Sequence, residues 1–267
     1  MSVITLLTDF GTADGYAGTM QGVILRINPA ATVVDLSHDI PAQDVRAAAF
    51  VLSMAYPYFP ADAIHVVVVD PGVGSERRAL ALCTPRGVFV APDNGVLSYV
   101  FARESIVEMV HLTQQDYWLT PLSNTFHGRD LFAPVAAHLS LGVALSNLGS
   151  PIADAVRFAV PEPQVREDGT ILGQVQHVDQ FGNLITNVPG ELLPEGRVKV
   201  RIAGREVVGP LKAYARAAQR ELLAIVDASG NLEIAERDGS AAATLQVGRG
   251  AEIVVTPVRQ DAQDPRM

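Results

Sequence analysis

The chain has 267 residues, 48 % of them apolar, and a formal net charge of −9. That length suits one large domain or two modest ones with a buried core, and the acidic balance excludes nucleic acid and anionic membrane surfaces, which demand basic patches. The single cysteine, Cys83, excludes an internal disulfide and fits a reducing cytosol.

The first residues, MSVITLLTDFG, lack the basic start and long apolar stretch of a signal peptide. No apolar run approaches the roughly 20 residues of a membrane-spanning helix. The expectation is a soluble, cytoplasmic protein with no nucleic-acid or membrane partner.

VITLLT (3–8) predicts a first strand. GYAGTMQGVILRINP (15–29) carries helical spacing and is stopped by Asn28-Pro29. TVVDLS (32–37) is a second strand, and Asp44 is placed to cap a helix over VRAAAFVLSMAY that ends before Pro57. IHVVVV (64–69) is apolar on both faces, as a buried parallel strand is. This βαβαβ order predicts a mostly parallel sheet with helices on both faces. ALALCT and VFVAP add two strands. After HGRD a helix over LFAPVAAHLSLG runs to Gly142, with Pro134 in its first turn.

The texture changes near residue 150, where GSPIADAVRFAVPEPQVREDG holds three prolines and little periodicity. We read an α/β domain over 1–150, a linker over 151–168, a second domain over 169–258 and a disordered tail over 259–267. In the second domain ILGQVQHV, RVKVRIAG, ELLAIVD, NLEIAE and AEIVVTPV alternate with turns, which predicts a small antiparallel β-barrel.

Ligands of open α/β sheets bind beyond the carboxyl ends of the strands. Asp9 follows the first strand in TDFGTADGYAG, and Asp70 follows the third in DPGVGSERR. His127 precedes a helix in NTFHGRD. Each is flanked by glycine, which lets backbone approach a ligand. Aspartates after strands also cap loops and helices; three polar clusters at one sheet edge favour a site.

Other motifs fall away. DFG at 9–11 has no glycine-rich loop, strand lysine or HRD with it, and GVGSERR lacks the Gly-Lys-Ser/Thr of a phosphate loop. The six histidines (38, 65, 111, 127, 138 and 177) show no metal-binding spacing, so no metal site is expected. PDNGVLS (92–98) reads as a tight turn.

Five stretches together resemble the S-adenosyl-L-methionine (SAM) hydroxide adenosyltransferase family, which is related to the fluorinases and chlorinases. They are LLTDFGTADGYAGTMQGV, DPGVGSERR, APDNGVLS, NTFHGRDLFAPVAAHL and DQFGNLITN, and the resemblance spans roughly 3–257. It implies a Rossmann-like N-terminal α/β domain with a C-terminal antiparallel β-barrel. It also implies a homotrimer, with substrate between the α/β domain of one subunit and the barrel of the next.

The implied reaction is SAM hydrolysis. Water or hydroxide displaces methionine at the ribose C5′, giving adenosine and L-methionine, with SAM as substrate and no cofactor. By the resemblance Asp70, Arg77 and His127 form the catalytic set. Asp70 would accept a proton or hydrogen bond from water, Arg77 would hold Asp70 ionised, and His127 would orient the water; which group removes the proton stays open. A structural salt bridge is the alternative reading of Asp70 and Arg77. Asp9 would grip the ribose diol and Phe126 would line the sugar pocket. Asp179 and Asn183 would contact the methionine amino group and adenine, with Phe181 stacking nearby. The alternative for DQFGN is a β-turn with Gly182 at its tip.

VDASGNLEIAE (226–236) departs from the family's pattern at Asp227, Ala228 and Asn231, while Ser229 can still contribute to substrate binding. The alternatives are a SAM-dependent halogenase and a non-catalytic adenosine or SAM binder. Halogenating relatives lack the Asp-Arg-His set. A phosphohydrolase would need a metal cluster.

Overall fold

A computed structural model of the chain describes residues 2–258; the tail expected over 259–267 lies outside them. The chain divides into two compact units between Val160 and Pro161.

The first unit contains β1 (Val3–Thr8), α1 (Tyr16–Ile27), β2 (Thr32–Ser37), α2 (Val45–Ala55), β3 (Ile64–Val68), β4 (Ala79–Thr84) and β5 (Gly87–Pro92). It continues through α3 (Ser98–Arg103), β6 (Glu108–Leu112), α4 (Ala133–Ser140) and β7 (Gly149–Pro151). The strands form one sheet in the order β2-β1-β3-β5-β4-β6-β7. Five of the seven, β1, β2, β3, β5 and β6, run one way. The reversal at β4 follows from chain length: β4 and β5 are joined only by Pro85 and Arg86. A connection that short makes a hairpin, whereas a parallel pair needs a crossover of a dozen or more residues.

Side-chain alternation along the central strands feeds two cores. Ile4, Leu6, Val66 and Val68 face one side, against Met20 and Ile24 of α1 and Val135 of α4. Leu7, Val67 and Val69 face the other, against Ala48 and Leu52 of α2 and Val100 of α3. Every residue of β3 is buried, and each such aliphatic contributes about 1.5–3 kcal/mol. This double cover makes the end of β3 a rigid mount for whatever follows it.

One helix departs from expectation. The helix expected to begin after HGRD starts with a π turn over Gly128–Phe132 and becomes α4 only at Ala133; such widened turns recur at functional sites. α2 ends at Ala55, before Pro57 as expected, and a single 3₁₀ turn over Tyr56–Tyr58 follows it. Asp44 caps α2 as expected, with Oδ1 accepting from the Ala47 amide at 2.9 Å.

The second unit contains β8 (Gln164–Val165), β9 (Ile171–Val178), β10 (Leu184–Pro189), β11 (Val198–Ile202) and β12 (Arg205–Gly209). After these come β13 (Leu222–Val226), β14 (Asn231–Glu236), α5 (Ala241–Leu245) and β15 (Glu252–Pro257). The strands pair antiparallel in the order β12-β11-β15-β9-β10-β14-β13, with β8 beside β9. The Leu211 amide donates to the Ala224 carbonyl at 2.8 Å just past β12, which nearly closes the sheet into a barrel. Val175, Leu184, Val200, Ile234 and Val255 fill its interior. Among the described residues, no helix is long and apolar enough to cross a membrane.

Candidate active site

β1 and β3 are parallel neighbours in register, Thr8 beside Val68. Their carboxyl ends therefore deliver Asp9 and Asp70 to one edge of the sheet. The loop before the π turn brings Phe126 and His127 to the same place. Asp9, Phe10, Gln43, Asp70, Phe126 and His127 are among the residues lining a cavity of about 180 Å³.

The turn after β3 explains how Arg77 doubles back on Asp70. The Val73 amide donates to the Asp70 carbonyl at 3.2 Å, and the Ser75 amide to the Gly72 carbonyl at 3.1 Å. Gly74 has φ 77°, and a Cβ there would lie 2.3 Å from the Asn124 carbonyl oxygen. Only glycine fits so close to backbone in a left-handed conformation. The turn is thereby pressed against the loop that carries His127.

Arg77 Nε donates to both carboxylate oxygens of Asp70 at 2.9 Å, and Nη2 also donates to Oδ2. The two side chains are only 10 % and 5 % exposed, so this pair is little screened. The same Nη2 lies 2.7 Å from His127 Nδ1. A guanidinium has donors and no acceptor, so Nδ1 accepts and the neutral imidazole carries its proton on Nε2. The His127 pKa is lowered, first by burial and then by the Arg77 charge, against an opposing pull from Asp70, Asp130 and the Ser123 backbone. The second arginine of DPGVGSERR does not join them. Arg78 donates from Nε to Asp93 and from Nη1 to Asp154, each at 2.8 Å.

Asp9 Oδ2 accepts from the Gln43 amide at 2.8 Å. Phe126 stands edge-to-face with Phe10 and Tyr16, ring centres 5.7 and 5.2 Å away. Several residues that build this place escaped sequence reading. Asn94 Nδ2 of PDNG donates to the Val69 carbonyl at 2.9 Å and steadies the end of the third strand. Asp130 is buried and accepts from the Ser123 amide at 2.8 Å and from Arg129 Nε at 2.6 Å. Burial alone would raise its carboxyl; the bonds from Arg129 and Ser123 draw it below the usual carboxylate range. Neither Gly74 nor Gln43 carries a sequence signal beyond its place in a turn.

In the second unit, Asp179, Phe181 and Asn183 form one turn. Asp179 Oδ1 accepts from the Phe181 and Asn183 amides at 2.9 and 2.8 Å, and Oδ2 accepts from Asn183 Nδ2 at 3.0 Å. Phe181 is 76 % exposed. With Tyr214, Glu236 and Arg237 these three line a cavity of about 680 Å³. Ser229 is not in that lining. It sits in the β13–β14 turn, donating to Asp227 and accepting from Asn231 Nδ2 at 2.8 Å. Nearby, buried Glu233 accepts from the Tyr214 hydroxyl at 2.8 Å. Burial pushes the Glu233 carboxyl up to about 7; the Tyr214 bond opposes this, and the Asp227 and Asp179 charges add to it.

Among the described residues, no group of three or more His, Cys, Asp or Glu could hold a metal ion.

An α/β sheet whose strand ends meet an Asp-Arg-His cluster, followed by an antiparallel barrel, defines a two-domain protein with a candidate hydrolytic site in the α/β unit. Comparison gives the family. The SAM hydroxide adenosyltransferase N-terminal domain matches residues 4–149 and the C-terminal domain matches 173–254. The (R)-S-adenosyl-L-methionine hydrolase of Salinispora tropica is 40 % identical over 255 residues, 95 % of this chain and 97 % of that one. A fluorinase from an Actinoplanes species is 26 % identical over 70 % of this chain and 71 % of its own. The crystal structure of an uncharacterized conserved protein from Thermotoga maritima superimposes with a TM-score of 0.89 at 38 % identity, covering 95 % of this chain and all of that one. The chain belongs to the SAM hydroxide adenosyltransferase family.

Proposed function

We propose that the protein hydrolyses SAM at the ribose C5′, with Asp70, Arg77 and His127 activating the water. The observation that carries this reading is the single guanidinium nitrogen shared between Asp70 and His127 at the strand-end cavity. The names of the relatives at 35–40 % identity support the substrate.

The chemistry fits the residues. The oxygen of water forms a bond to C5′ as the C5′–S bond breaks. The bonding pair stays on sulfur, so the sulfonium leaves as the neutral thioether of methionine and needs no general acid. One proton must leave the attacking water. His127 Nδ1 is occupied by Arg77 and its Nε2 already bears a proton, so Asp70, which is charge-paired with Arg77 and lines the cavity, is the acceptor in this proposal. His127 holds the guanidinium in place. Asp9 binds the ribose diol as a two-oxygen acceptor, and Phe126 lines the sugar. Neither metal nor cofactor is needed, since a sulfonium is its own leaving-group activation; full activity after EDTA treatment is the expected result, and loss restored by a divalent ion would contradict it.

Asp179, Phe181 and Asn183 complete the site from the barrel side in this proposal, with Ser229 as a further contact. These residues lie in a different unit from the Asp-Arg-His cluster, which, with the family resemblance, supports a homotrimer whose sites are shared between neighbouring subunits. Mixing Asp70→Ala and Asn183→Ala proteins after dissociation and reassembly should restore some activity; mixed trimers that stay dead would contradict sharing. The lone cysteine supports a cytoplasmic location. The test of the reaction is its products: purified protein and SAM should give adenosine and methionine in equal amounts. A different nucleoside, or methionine without adenosine, would overturn it.

A further inference from the structure

The loop that meets Asp9 contains a backbone anomaly. The Asp44 amide donates to the Pro41 carbonyl at 2.9 Å, closing a turn over Pro41–Asp44. Gln43 occupies its third position with φ 65°. That geometry is the one in which glycine is favoured, because a side chain there is strained. The turn is fixed on both sides: Asp44 caps α2, and the Gln43 amide is bonded to Asp9. A glycine would serve both bonds without strain. With that residue kept in place of glycine, Gln43 is among the residues lining the 180 Å³ cavity.

We infer that Gln43 is a second binding residue for the sugar of the nucleoside, acting beside Asp9. This rests on the proposed reading of the cavity as the SAM site. A ribose hydroxyl is both donor and acceptor, whereas a carboxylate such as Asp9 only accepts. Asp9 satisfies the hydroxyl hydrogens and leaves the hydroxyl oxygens without a donor. A carboxamide supplies one. Gln43 is next to that carboxylate, because its own backbone amide donates to Asp9 Oδ2 at 2.8 Å. The backbone amide thus positions the acceptor while the carboxamide supplies the donor.

The test uses the full-length protein and adenosine as the probe, with affinity measured by calorimetry and KM and kcat measured for SAM. Gln43→Gly keeps the amide bond to Asp9 and relieves the backbone. The expected result is a melting temperature equal to or above wild type, adenosine binding about tenfold weaker, KM raised to match and kcat little changed. Gln43→Ala keeps the strain and should lose the same affinity without the gain in melting temperature. Gln43→Asn retains a carboxamide and tolerates the left-handed backbone, so it should recover part of the loss. Wild-type affinity in the glycine and alanine variants would overturn the inference and leave the proposed function standing. A wild-type protein that neither binds adenosine nor consumes SAM would overturn both.

Discussion

Asp70 in the first unit and Glu233 in the second are both carboxyls withdrawn from water, and their surroundings are opposite. Asp70 is clamped by three hydrogen bonds from one guanidinium. Glu233 has a phenol for a partner and two further carboxylates, Asp227 and Asp179, as charged neighbours; burial and those charges push it up to about 7. A buried carboxylate with a cation keeps its acceptor oxygens available to a water molecule. A buried carboxyl without one gains by holding a proton. The comparison separates a carboxylate paired with a cation from a carboxyl whose protonation is tied to the stability of the barrel.

The largest effect should come from the clamped carboxylate. Asp70→Asn keeps the shape and removes the proton acceptor, so adenosine formation should fall by about 10²–10⁴ while adenosine affinity measured by calorimetry changes little. A fall explained wholly by unfolded protein would contradict the assignment.

The unclamped carboxyl gives the next effect, in stability. The folded pKa of Glu233 is raised from 4.5 to about 7. Its contribution is therefore fully present below about pH 4.5 and is lost as pH rises through about 7; at about 1.36 kcal/mol per unit this is on the order of 3 kcal/mol. Urea unfolding of Glu233→Gln should lack that part of the decline seen in wild type between pH 5 and 8. Parallel pH curves for the two proteins would contradict it.

Gly74→Ala tests what presses the clamp into place. A methyl would meet the Asn124 carbonyl, so the variant should lose about 1–3 kcal/mol of stability. Its folded fraction should also lose activity as Arg77 shifts from His127. The smallest effect is a pH response confined to the acid side. The His127 pKa is lowered, so neutral imidazole persists at and above neutrality and is lost only as pH falls through that lowered value. The kcat/KM profile should stay level down through the ordinary imidazole value of about 6.5; a limb centred on that value would contradict the Arg77–His127 bond.

Much of the architecture was legible because local signals agreed. Branched aliphatics marked the central strands, Asn28-Pro29 stopped α1 and Asp44 capped α2. The strands and helices that escaped carry weaker patterns. β10 carries Thr186 and Asn187, polar and yet buried, and β12 buries only Val207 and Gly209. In the candidate site, a carboxylate after a buried strand was readable, and so was an arginine past a glycine turn. Which of two adjacent arginines would return to Asp70 came from the family resemblance and not from the local pattern, because Arg78 is claimed by Asp93 and Asp154, partners distant in sequence. The clash that makes Gly74 obligatory and the tautomer of His127 are equally non-local. Each depends on an atom about 50 residues away.

The central claim is that this cluster delivers water to C5′ of SAM. Its most direct measurement is the mass of adenosine formed from SAM in ¹⁸O-enriched water. One ¹⁸O in the 5′-hydroxyl of the product is the expected result. Adenosine that carries no label, or a nucleoside bearing a halide at C5′ when halide is supplied, would contradict it.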